Sequence, residues 1–196
     1  SMSLVNILYN FQLMRYIGED GVAAYGIIMY VSFIFAAIFI GYSIGSAPVI
    51  GYHYGAGNYT ELKGLFRKSL CLITLWNIIL TILAVLTAQP LAQIFVGYDA
   101  SLTALTRRAL ALYSMSFLCM GLNIFGSAFF TALGNGVVSA AISFLRTLLF
   151  QVVAVLLLPL LLGLDGIWLA IVAAEVLALV VTVFFLIKKG KYYHYV

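Results

Sequence analysis

The chain has 196 residues, 65% of them hydrophobic and 8% charged, with a formal net charge of +4 and a mean hydropathy of +1.15. A water-soluble domain carries about a quarter charged residues, so this composition cannot cover a water-facing surface and predicts an integral membrane protein. In that setting Lys and Arg mark the cytoplasmic ends of helices, so the positive balance does not point to nucleic acid.

A helical span needs about 20 mostly apolar residues. The opening "SMSLVNILYNFQLM" is already apolar and lacks the basic n-region of a signal peptide, so residues 1–16 read as a partial helix. No Asp, Glu, Lys or Arg lies between Asp20 and Glu61, which predicts a long helix over 21–52. A cytoplasmic loop is expected over 53–65, and a span over 66–88 ending near Pro90. The next charge-free run, Arg108 to Arg146, is too long for one helix, and "LGNGV" is its natural break. It divides into spans at 104–133 and 138–161, and a last span follows at 167–187. Runs such as "LITLWNIILTILAVL" are continuous rather than alternating, which excludes barrel strands. The expected fold is all-α: a transmembrane helical bundle, one lobe of about five to six helices.

Alternate junctions share a side of the membrane. One side collects Lys63, Arg67, Lys68, Arg146, Lys188, Lys189 and Lys191; the other holds Arg15, Arg107 and Arg108. That asymmetry predicts a multi-pass protein of the plasma membrane with its C-terminus in the cytoplasm. In the stretch "SAPVIGYHYGAGNYTELK", Pro48 removes a backbone donor, and Gly51, Gly55 and Gly57 let the chain turn. These four are hinge candidates, against the plainer reading of a loop.

Two charges fall inside predicted spans. At 1.5 Å per residue Arg146 lies about 13 Å deep and Glu175 roughly 18 Å from the same side. Helices joined by the short "GLDG" link are neighbours, and an Arg side chain reaches across the mismatch. A lone charge at such depth costs about 2.5–3.5 kcal/mol on insertion scales, so the two are expected to be partners facing the bundle interior. The pair is either a structural lock between helices or an ion site in which Arg146 tunes Glu175. Asn6, Asn10, Gln12, Asn77, Asn123 and Gln151 are further inward polar candidates, for contact with a ligand or for interhelical hydrogen bonds. Small residues in "GYSIGSA" and "GLNIFGSA" predict close helix packing, and the many Tyr and Phe are assigned mainly to lipid contact. Cys71 and Cys119 lack metal-ligand spacing and suggest neither metal nor disulfide. No nucleotide loop, metal cluster or nucleophile–base spacing appears, so an enzyme is not expected.

Five stretches occur in a distinctive order: "GVAAYGI", "APVIGYHYGAGNYTELK", "TRRALALYSMSF", "TALGNGVVSAAISFLR" and "LLLPLLLGLDGIWLAIVAAEVLAL". Together they cover almost the whole chain and resemble the multidrug and toxic compound extrusion (MATE) family over its C-terminal six-helix lobe. Arg146, Glu175 and Pro159 match residues of the family's last two helices. The resemblance implies a secondary antiporter, of prokaryotic inner or cell membrane, that exports cationic amphipathic compounds in exchange for H+ or Na+ by rocking of two lobes. It implies no cofactor beyond the coupling ion. The implied partners are lipid, cationic small molecules, and either a missing N-terminal lobe or a second copy of this chain. The acidic residues that some members carry in the family's helices one, seven, eight and ten have no counterpart here, which leaves Glu175 as the ion-site candidate. A lipid-linked oligosaccharide flippase of the same superfamily and a non-transporting scaffold subunit are the alternatives.

Overall fold

The computed structural model describes residues 2–196, with side chains from residue 3 onward. The expected helical bundle is present, and its elements are all helices: α1 (Met2–Ile17), α2 (Glu19–Gly55), α3 (Tyr59–Val96), α4 (Ala100–Ser114), α5 (Phe117–Ala132), α6 (Gly136–Phe144), a π-helical turn (Leu145–Phe150), α7 (Gln151–Leu162) and α8 (Leu164–Tyr193). By length and composition four helices can cross a membrane: α2, α3, the run Gly136–Leu162 and α8. The bent pair α4–α5 makes a fifth. Residue 1 of the partial helix expected over 1–16 lies outside the described residues.

Hydropathy marked the apolar middles of these helices but not their ends. The 53–65 loop contracts to residues 56–58, because α2 runs unbroken through Pro48 to Gly55 and α3 starts at Tyr59. Asn58 caps that start by accepting from the Glu61 amide at 3.3 Å. The first turns of α3 expose Lys63 and Arg67 and bury Leu62 and Phe66, an amphipathic pattern that extends the helix beyond its apolar window. Of the hinge candidates, Gly57 makes the turn, at φ +68°. Gly55 ends α2, and Gly51 is a packing position inside it, where an added Cβ would sit 3.2 Å from the Ala132 carbonyl oxygen. At the other end α3 passes Pro90 and continues to Val96.

The span expected as one helix over 104–133 is two helices bent by 45°. Around the break, the Met115 and Ser116 amides donate to carbonyls three residues back, and the Ser114 hydroxyl donates to the Leu110 carbonyl at 2.6 Å. Such side-chain back-bonding competes with the helical ladder and bends it. The span expected over 138–161 is continuous from 136 to 162 but carries the π turn.

α5 is the central element of the fold, packing against α2, α3, α6 and α8. At Gly126 an added Cβ would lie within van der Waals overlap of Thr182 on α8, so the close approach needs glycine. Small residues in "GLNIFGSA" thus do pack a helix pair, whereas Gly41 and Gly45 of "GYSIGSA" face open space. The aromatic residues divide. Many face outward, but Phe66, Phe125, Phe129, Phe130, Tyr193 and Tyr195 are buried. They form a plug at the α5–α6 end, in which the Tyr195 ring packs on Phe66 at 4.7 Å and on Phe129 at 4.9 Å. The tail after α8 therefore folds back into the lobe, with the Tyr195 hydroxyl donating to the Leu186 carbonyl at 2.8 Å.

Candidate functional site

Glu175 sits in the middle of α8 and is wholly buried. Arg146 reaches it from the π turn: its Nη2 and Nε each lie 2.8 Å from Glu175 Oε1, and Nε lies 3.0 Å from Oε2. The two charges assigned to the bundle interior are paired. A π turn holds one residue more per hydrogen-bonded loop than the α-helix around it, and such turns recur at functional sites. Here it presents Arg146 toward α8, and none of its six residues is fully buried.

The carboxylate is held from a second direction. Asn123 on α5 donates through Nδ2 to Glu175 Oε2 at 2.7 Å and to the Glu175 backbone carbonyl at 2.9 Å. Asn123 Oδ1 accepts from the Thr182 hydroxyl at 3.0 Å. Thr182 is seven residues beyond Glu175, two turns along the same face of α8. Glu175 therefore accepts hydrogen bonds from a guanidinium and an amide, so its buried oxygens are not left without partners.

This group forms part of the wall of a cavity of about 620 Å³ lined by α1, α2, α4, α5, α6, the π turn, the start of α7 and α8. Its volume lies within the range of small-molecule sites, about 300–1,000 Å³. Tyr9 and Tyr25 stack in parallel on the same lining, with ring centroids 5.1 Å apart. The Tyr25 hydroxyl donates to Asn6 Oδ1 at 3.0 Å, while the buried Tyr9 hydroxyl has no hydrogen-bond partner among the described residues. Tyr113 and Ser32 face each other at 3.4 Å on the same lining. The charged lining residues are Arg146 and Glu175, so the cavity is formally neutral as well as aromatic.

Of the sequence candidates, Glu175, Arg146, Asn6, Asn123 and Gln151 converge on this cavity. Asn10 is half-buried on α1 outside the lining. Gln12 and Asn77 join helices instead: Gln12 donates to the Val155 carbonyl at 3.3 Å, and Asn77 accepts from the Gly121 amide at 3.2 Å. The hinge candidates lie at the lobe's end, away from the lining. Sequence reasoning missed Tyr9, Tyr25 and Tyr113, which it had grouped with lipid-facing aromatics. It also missed the hydroxyls Ser127, Ser143 and Thr147. Their four-residue spacing, facing Asn123 and Arg146, was the available signal. Both cysteines are free, and no His, Cys, Asp or Glu cluster suited to a metal occurs among the described residues.

The family model MatE matches residues 1–157. The chain belongs to the MatE family. No curated protein matches it, but solved MATE structures share its fold. An outward-facing multidrug resistance MATE family transporter of the MOP superfamily superposes with a TM-score of 0.89 at 22% identity, over 98% of this chain and 43% of that one. A Vibrio cholerae MATE transporter gives 0.89 at 18% identity, over 99% and 44%. A MOP superfamily transporter from Pyrococcus furiosus, described as having a binding pocket of reversed polarity, gives 0.88 at 22%, over 98% and 43%. The chain thus spans less than half the length of these transporters and has the fold of one MATE lobe.

Proposed function

We propose that this lobe works with a second six-helix lobe as a secondary antiporter, exporting cationic amphipathic compounds while H+ or Na+ enters, with Glu175 as the ion-coupling group. The observation that carries the reading is a fully buried carboxylate, bracketed by Arg146 and Asn123, in the wall of a formally neutral, aromatic cavity. A buried carboxylate paired to one cation has two states that differ by a proton or a bound cation. Protonation of Glu175 releases Arg146, and the neutrality of the wall is lost. A cavity whose charge follows occupancy of one group can favour different substrates in its two states, which is what exchange requires. The stacked Tyr9–Tyr25 pair offers the flat apolar face that an aromatic cation needs.

The test is efflux of a fluorescent cation such as ethidium by the intact transporter, comparing the native protein with Glu175→Gln. The variant keeps the shape and the Asn123 contact but removes the titrating group. Loss of ion-driven efflux, with folding and substrate binding retained, is the expected outcome. Unchanged efflux would leave Glu175 as a helix lock only. Arg146 is engaged by Glu175 rather than presented as a free cation, which disfavours the flippase alternative with its anionic cargo.

A further inference from the structure

A second cavity, a groove of about 460 Å³, shares no lining residue with the one beside Glu175. Its walls come from α3, α5, α8 and the returning tail, and α3 contributes nothing to the larger cavity. On α8 the lining residues Leu179, Val183, Ile187 and Lys191 follow at four-residue intervals, a stripe about 18 Å long at 1.5 Å per residue. On α3 the lining residues Phe66, Leu70 and Thr74 keep the same interval. The polar lining residues are Thr74, Thr182 and Lys191, and the Thr182 hydroxyl is already given to Asn123. The groove is therefore walled by hydrocarbon, with a cation at one end.

That end of the lobe is basic. The Tyr59 and His194 rings pack with centroids 4.6 Å apart, which sets the start of α3 beside the tail after α8. Lys63, Arg67 and Lys68 therefore share an end with Lys188, Lys189 and Lys191, and Glu61 is the acidic side chain of these two segments. Lys188 lies over the Phe184 ring at 5.3 Å and Lys189 over the Tyr192 ring at 5.6 Å. Lys191 is exposed, with neither an aromatic nor a carboxylate partner among the described residues.

We propose that the groove between α3 and α8 holds one acyl chain of an anionic phospholipid, with the lipid's phosphate on Lys191. The stripe on α8 matches the depth of one leaflet, about 15 Å or half of a hydrocarbon core of about 30 Å. Basic residues clustered at the end of a membrane helix attract anionic headgroups. The Lys191 stem lies along apolar wall while its ammonium reaches the interface, as lysine does at membrane edges. A cationic compound of the kind assigned to the larger cavity would meet repulsion from Lys191. A zwitterionic lipid fills the same groove but brings its own ammonium to a basic surface, so the charge favours the anionic one. The site stands apart from the antiport reading, because it shares no lining residue with the cavity that holds Glu175.

The experiment uses the intact transporter in detergent, titrated with phosphatidylglycerol or with phosphatidylcholine of the same chains, with bound lipid counted by native mass spectrometry. The native protein is expected to retain one phosphatidylglycerol at concentrations that leave phosphatidylcholine unbound. Lys191→Gln is expected to weaken that retention by about fivefold, the share of one lysine beside an anionic headgroup, and Lys191→Arg to keep it. Val183→Trp, which fills the groove from an exposed position on its wall, is expected to abolish retention. Glycerol phosphate, a headgroup without chains, is expected not to compete. Equal retention of the two lipids overturns the site, as does retention that survives Val183→Trp. Native-like binding by Lys191→Gln overturns the headgroup assignment, and competition by glycerol phosphate makes Lys191 a site for a free anion instead. No bound lipid, together with cross-linking of Val183→Cys to another part of the transporter, would show that protein covers the groove and also overturns the site. Efflux plays no part in this readout, so its failure and that of the Glu175→Gln test are separate results.

Discussion

Among the described residues, the lobe contains two arginine–carboxylate pairs of the same chemistry in opposite surroundings. Arg108 and Asp165 join α4 to the first turn of α8 with side chains 69% and 34% exposed; Arg146 and Glu175 join the π turn to the middle of α8 at 16% and 0%. For the exposed pair, water and salt compete for both ions, and such pairs contribute about 0–1 kcal/mol. For the buried pair, desolvation offsets most of the attraction, so the pair adds little net stability, yet removing one partner is severe because the other is stranded. The same bond can therefore be dispensable or obligatory according to what surrounds it. The comparison also accounts for two residues that run against the orientation rule: Arg108 is held by Asp165, and Arg107 by Gln89 Oε1 at 2.9 Å.

The contrast breaks most readily at its buried end. Arg146→Met is expected to destabilise the protein by about 3–5 kcal/mol, because Glu175 keeps only the Asn123 amide. Adding Glu175→Leu should recover most of that loss, and unfolding in detergent micelles measures both. If the single variant is no less stable than Arg108→Ala, burial is not what separates the two pairs. Arg108→Ala is itself expected to cost less than about 1 kcal/mol, with a cost that shrinks further in high salt.

The smallest effect belongs to a third carboxylate, one stabilised without any cation. Asp99 caps α4 by accepting from the Ser101 hydroxyl at 2.7 Å and from the Ser101 and Leu102 amides at 2.8 and 3.0 Å. The Ser101 hydroxyl first, and then those amides, hold its carboxyl below the ordinary aspartate range. A depressed folded-state value contributes stability above the ordinary aspartate pKa of about 3.9, which is lost as the pH falls through and below that value. Acid unfolding of Asp99→Asn should therefore show a shallower pH dependence in that window, and an identical profile would assign the cap no role in it.

What could be read from the sequence followed from the cost of charge in lipid. Glu175 and Arg146 stand alone in apolar runs, and adjacency through the "GLDG" link makes partners of them without any coordinates. Asn123 was legible as inward-facing for the same reason, though not as the bracket on Glu175. The helix irregularities were not legible. The 45° bend at Met115–Ser116 goes with a serine turning back onto its own helix, yet Ser46 bonds back to the Ser43 carbonyl inside the unbroken α2, so the residue type alone does not mark the bend. The π turn was not legible either, because hydropathy registers the charge of Arg146 but not how many residues its hydrogen-bonded loop holds. Nor could composition separate the buried Tyr193 and Tyr195 from the exposed Tyr192 beside them, since only the return of the tail decides which ring enters the bundle.

The π turn also fixes how the two halves of its helix are phased. One residue in excess turns everything after it by about 100° relative to an unbroken α-helix. Downstream of that turn, the Val155 carbonyl accepts from Gln12 at 3.3 Å and the Pro159 carbonyl accepts from the Tyr16 hydroxyl at 3.1 Å. Both seams between α1 and α7 are therefore set for the longer count. Deleting Leu148, Leu149 or Phe150 would leave hydropathy and composition nearly untouched while turning those carbonyls away from α1. In this lobe the spacing between Arg146 and the far half of its helix is a length specification, and sequence changes that preserve every side chain but alter the count are the ones it tolerates least.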